Sequence, residues 1–107
     1  MIGSLFVNYS SPALSEIDEI SKYIAKDKPQ AAADVLAAIN EAIELLSRYP
    51  YKSRKTRQRG MRAMALSQYP YIIFFKIRRG ELEVLHVLHG ARRHPGFQEE
   101  TAEFVTA

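Results

Sequence analysis

Ala32, Val35, Leu36, Ile39, Ala42, Ile43 and Leu46 recur every three or four residues, and every one of them is apolar. Side chains so spaced stack on one side of an α-helix. The stretch "KPQAAADVLAAINEAIELLSRYP" therefore predicts an amphipathic helix that starts at Pro29 and ends near Tyr49-Pro50, since a residue before proline avoids helical geometry. Ahead of it, "SPALSEIDEISKYIAKD" (11–27) repeats the pattern. Ser11 is placed to cap, Pro12 takes the first helical position, and Leu14, Ile17, Ile20 and Ile24 form the stripe. Glu16, Asp18 and Glu19 suit the positive end of the helix dipole. The short link Asp27-Lys28 makes the pair an antiparallel hairpin. Two apolar stripes need a surface to cover.

The second half supplies that surface. "MRAMALS" (61–67), "YIIFFKI" (71–77) and "LEVLHVLH" (82–89) read as strands, the last two joined by a tight turn at Arg79-Gly80. The nearly unbroken apolar run Tyr71 to Phe75 suits a central strand, and "SLFVNYS" (4–10) reads as a further strand at the start. Short connections imply antiparallel pairing. The expected architecture is a two-layer α+β fold: an N-terminal strand, an antiparallel helix hairpin, then antiparallel strands. The loop 49–60, basic and poor in apolar residues, is expected to be exposed and mobile.

A chain of 107 residues is one domain's worth, burying roughly two-thirds of its unfolded surface. We assign 1–93 to that domain and 94–107 to a C-terminal tail. Without cysteine there is no disulfide, no thiolate metal site and no Cys nucleophile. The N-terminus lacks the features of a signal peptide, and no apolar run approaches the roughly 20 residues of a membrane span, so the expectation is a soluble cytoplasmic protein without membrane association.

Charge is unevenly distributed. Residues 1–47 carry seven acids and three bases, 48–93 carry twelve bases and two acids, and 94–107 carry three acids, giving −4, +10 and −3 within an overall +3. Such asymmetry favours an acidic or nucleic-acid partner. Lys52, Arg54, Lys55, Arg57 and Arg59 form an electrostatic patch suited to phosphates, or simply a solvated face.

The segment "VLHVLHGARRHPGF" concentrates His86, His89, His94, Arg92 and Arg93. Residues three apart on a strand point to opposite faces, so His86 and His89 cannot share an ion, and no metal or other cofactor is expected. If Leu82, Val84 and Leu88 face the helices, His86 shares their side as a core histidine and His89 faces outward. Gly90 then lets the chain turn. Tyr69 and Tyr71 flank Pro70, and with Arg62 they offer either sheet-edge packing or a stacking surface for bases.

The ordered series "VNYSSPALSEIDEISKYIA", "AAADVLAAINEAIELLSRYP", "RGMRAM", "YPYIIFFKI" and "ELEVLHVLHGARR" resembles the RelE/ParE superfamily of toxins from type II toxin–antitoxin systems, over residues 5–93. The resemblance implies a β-α-α-β-β-β fold and a ParD-like antitoxin that wraps the toxin in a hetero-oligomer. The ending "VLHGARR" (87–93) is similar to the ParE branch, associated with plasmid stabilisation and inhibition of DNA gyrase. An acidic residue commonly follows there, where this chain has Arg93. The RelE branch instead cuts messenger RNA on the ribosome, which requires a general base, a general acid and cations around the scissile phosphate. In this chain His89 is the acid or base available at the strand end, and Arg62 occupies a position similar to a RelE-branch phosphate-binding arginine, in a Gly-x-Arg pattern that ParE-like chains also show.

The sequence therefore favours a gyrase inhibitor with no catalytic residues, contacting its target or nucleic acid through Arg62, His89, Arg92 and Arg93. A ribosome-dependent endoribonuclease using His89 and Arg62 is the alternative. A non-toxic nucleic-acid-binding module is the third reading.

Overall fold

Ser10, rather than Ser11, starts the first helix. In the computed structural model, which describes residues 4–90, Ser10 has extended backbone and its Oγ accepts from the Ala13 N–H at 3.1 Å. That leaves Pro12 within the first turn, where its missing N–H costs nothing. Arg92, Arg93, His94 and the expected tail lie outside the described residues.

Strand β1 (Phe6–Tyr9) leads into α1 (Ser11–Ala25), and a short turn leads into α2 (Pro29–Arg48). The α2 stripe faces the core as its periodicity demands: Ala32, Val35, Ile39, Ala42, Ile43 and Leu46 are all buried. On α1 only Ala13 is fully buried, while Ile17, Ile20 and Ile24 are half-buried and Leu14 is exposed.

The loop 49–60 is more ordered than its composition suggests. It holds a 3-10 turn (Pro50–Lys52) and a two-residue strand, β2 (Arg54–Lys55). Thr56 then closes the following turn, its N–H and Oγ both donating to the Met61 carbonyl at 3.1 and 3.0 Å, with Gly60 at φ 80°. A left-handed backbone at that position favours glycine.

The remaining strands are β3 (Arg62–Ala65), β4 (Tyr71–Arg78) and β5 (Glu81–His89), giving one sheet in the order β1-β5-β4-β3-β2. Pairing is antiparallel throughout β2 to β5, but β1 runs parallel to β5, from Phe6 opposite Glu81 to Tyr9 opposite Val84. The helix hairpin carries the chain back over the sheet between these two strands. The observed order is thus β-α-α-β-β-β-β, one short strand longer than expected.

Both faces of the central strands are buried. Tyr71, Ile73, Phe75, Leu82, Val84 and Val87 pack under the helices, whereas Met61, Ala63, Ile72, Phe74 and Leu88 form a second cluster on the opposite face. Replacing Ile39 or Ile43 in the first cluster with Ala is expected to lower stability by about 2–5 kcal/mol, read from urea unfolding. A loss below about half a kilocalorie would mean that side chain does not support the core.

Candidate functional site

β5 outruns its neighbour. Its pairing with β1 stops at Val84, so among the described residues the outer edge from Leu85 to His89 has no strand beside it. Unpaired edge groups require other partners, and α1 provides them. The Ser10 hydroxyl donates to the Leu85 carbonyl at 2.8 Å, and Glu16 Oε1 accepts from the Val87 N–H at 2.9 Å. The second Glu16 oxygen lies 2.9 Å from His86 Nδ1. A carboxylate only accepts, which places a proton on Nδ1. Glu16, read from sequence as a dipole partner, is a clasp between α1 and β5. The signal that could have revealed it was the mismatch between a short first strand and a long last one.

The two strand histidines exchange the faces expected of them. A bulge between Phe74 and Phe75 shifts the register, so that Phe75 pairs with Val84 but Phe74 pairs with His86. One extra residue on β5 inverts every side chain after it. Leu88 consequently joins the cluster on the far face, while His89 comes to the helix side, its ring edge-on to Tyr71 at 5.4 Å and 83°. His86 stands by register with Phe74, and its ring reaches the strand edge at Glu16.

His89 and Tyr71 line a cleft of about 280 Å³ with Glu16, Glu19, Ile20 and Tyr23 of α1. On the other side of the hairpin, Tyr9 lines a second hollow with Val7, Ile43 and Arg48, and its burial raises the phenol above the ordinary tyrosine pKa.

Arg62 sits on β3, next to the opposite edge of the sheet. Its Nε donates to Ser53 Oγ and its Nη2 to the Ser53 carbonyl, both at 2.8 Å, and the guanidinium lies 5.1 Å from the centre of the Tyr51 ring. These contacts brace the connection between α2 and β3. Along β4, Arg62 is opposite Phe75 and His89 is opposite Tyr71, on strands flanking β4. Four residues along β4 and two strand spacings across it place the two side chains' backbones roughly 16 Å apart. The fold does not bring Arg62 and His89 to one point. Arg92 and Arg93, separated from β5 in sequence by Gly90 and Ala91, fall outside the described residues.

Among the described residues, no three His, Asp or Glu side chains are grouped to hold a metal ion. None of the described helices is long and apolar enough to cross a membrane.

Residues 7–94 match the family described as "ParE toxin of type II toxin-antitoxin system, parDE". A curated relative, "Putative toxin Y4kP" of Sinorhizobium fredii, is 39% identical over 89 residues, 83% of this chain and 92% of its own. A solved structure, "Chromosomal ParDE TA system from P. aeruginosa", superposes with a TM-score of 0.72 at 19% identity, covering 80% of this chain and 96% of that one. At that identity the superposition speaks for the fold, and the sequence matches speak for kinship. The chain belongs to the ParE family, the toxins of type II toxin–antitoxin systems.

Proposed function

We propose that this toxin acts by inhibiting DNA gyrase and is neutralised by a ParD-like antitoxin. The observation that carries the choice of branch is the separation of His89 from Arg62, which lie on opposite sides of β4 and four residues apart along it. Cleavage of RNA by its own 2′-hydroxyl needs an acid or base and a phosphate-holding cation within hydrogen-bond reach of the same group. This arrangement favours inhibition by binding over cleavage.

An antitoxin needs apolar anchors, and Phe6, Leu14 and Tyr23 are large side chains left 78%, 55% and 74% exposed on β1 and α1. Their placement supports docking across the helix hairpin and the edge of the sheet, with the basic half meeting acidic residues of the partner. The target-binding residues of the proposal are Arg62, His89, Arg92 and Arg93, the last two carried on from the end of β5.

The test is to incubate the purified protein with gyrase and relaxed plasmid, and separately with programmed ribosomes. Loss of supercoiling or trapped cleaved DNA is expected, with messenger left intact. Truncation from Arg92 is expected to weaken inhibition at least tenfold, since arginines are frequent interface hot spots. Site-specific messenger cleavage that His89→Ala abolishes, without an effect on gyrase, would overturn the proposal.

A further inference from the structure

From Arg48 to Arg79 the chain holds ten Lys and Arg residues and no Asp or Glu. Part of this run folds into the outer edge of the sheet, where Lys55 pairs with Arg62 between β2 and β3. Beside that pair lies a cleft of about 350 Å³ whose charged lining is Lys55, Arg59 and Arg62, all cationic. Arg62 is held in place by Ser53 and Tyr51 before any ligand arrives. A cation already fixed loses less freedom on binding an anion than a free one.

Aromatic surface accompanies the charge. Tyr51 lines the same cleft and is 71% exposed, with Arg62 against its ring. Tyr49 is 51% exposed, and Lys52 Nζ lies 5.4 Å from its ring centre. Exposed rings next to cations, on a segment that carries no Asp or Glu from residue 48 to 79, match what single strands require: a cationic track for phosphates and flat faces for unpaired bases.

We propose that this edge is a binding site for single-stranded nucleic acid. Lys55, Arg59 and Arg62 take the phosphodiester backbone, and Tyr51 and Tyr49 stack bases. An acidic peptide would satisfy the charges but leave the rings unused. Duplex nucleic acid would satisfy the charges while keeping its bases inside the stack. The site lies at the end of the sheet remote from β1 and needs neither gyrase nor an antitoxin.

Fluorescence anisotropy of the purified full-length protein with a labelled twelve-nucleotide oligodeoxythymidine, titrated in salt, tests the proposal. With three phosphates neutralised, the slope of log K against log salt is expected near −2, falling to about −0.7 in the Lys55→Gln/Arg59→Gln double variant. Tyr51→Ala is expected to weaken binding roughly tenfold, and Tyr51→Phe to leave it unchanged. All three substituted positions are at the surface, and melting temperatures of the variants check that they remain folded. A duplex bound as tightly as the single strand, polyglutamate competing equally per charge, or no loss in the charge and Tyr51→Ala variants would each overturn the assignment. A negative result here leaves gyrase inhibition standing, because the assay contains no gyrase.

Discussion

Phe75→Ala is expected to lower stability by about 3–5 kcal/mol, a drop in Tm of roughly 15–30 °C. Phe75 has no exposed surface, sits in the cluster under the helices, and pairs with Arg62 on one side and Val84 on the other. Its removal opens a cavity in the middle of the sheet, which rigid strands on both sides cannot close. Phe74→Ala is expected to cost a similar amount although its ring lies on the opposite face, because Phe74 too has no exposed surface. Thermal unfolding followed by circular dichroism measures both. If Phe74→Ala cost under about 1 kcal/mol while Phe75→Ala cost several, the second cluster would be contributing little to stability.

The other large effect is expected at Glu16. Glu16→Ala removes the acceptor for the Val87 N–H and for His86 Nδ1, and Val87 is only 1% exposed. A buried donor left without a partner costs about 1–3 kcal/mol, so a loss of about 2–3 kcal/mol is expected for the clasp as a whole, allowing for water reaching the histidine, whose side chain is 19% exposed. Glu16→Gln is expected to lose less, since its carbonyl oxygen can still accept from Val87. Hydrogen exchange gives a local reading: the Val87 amide is expected to exchange markedly faster in Glu16→Ala, ahead of its neighbours inside the sheet. Unchanged protection at Val87 would show that the carboxylate does not hold this edge.

The contrast between these two sites measures what the chain reveals before it folds. Phe75 belongs to an apolar run too long for a half-exposed strand, so its burial was legible from residues 71–77 alone. The stripe of α2 was legible for the same reason, as was the turn at Arg79-Gly80, where both residues adopt positive φ, 51° and 77°. Glu16 was not legible as a clasp, because its partner is 71 residues away and the need for it arises only when β1 ends before β5 does.

The bulge opposite Phe74 and Phe75 was hidden differently. Strand β5 is apolar on both faces, with Leu82, Val84, Leu85, Val87 and Leu88 spread over the two clusters, so alternation could not show where the phase changes. That single residue exchanges the expected faces of His86 and His89. The short strand β2 escaped notice because its residues, Arg54 and Lys55, owe their pairing to Thr56 and to Arg62 rather than to any strand preference of their own.

The parallel partnership of β1 with β5 governs when this polypeptide can become a toxin during its own synthesis. The N-terminal strand leaves the ribosome first, yet its partner emerges last: Asn8 waits for Glu81, 73 positions later, to form their side-chain hydrogen bond at 2.6 Å. At roughly 5–20 residues per second, that gap lasts several seconds. During it the nascent chain can form its helix hairpin, whose contacts are local, but it has no inner strand on which to seat β1. Translation halted before Glu81 would release a polypeptide missing the strand between β1 and β4, so the sheet could not assemble in its native order. An interrupted message therefore yields no assembled sheet, and the fold closes only once the last strand has emerged.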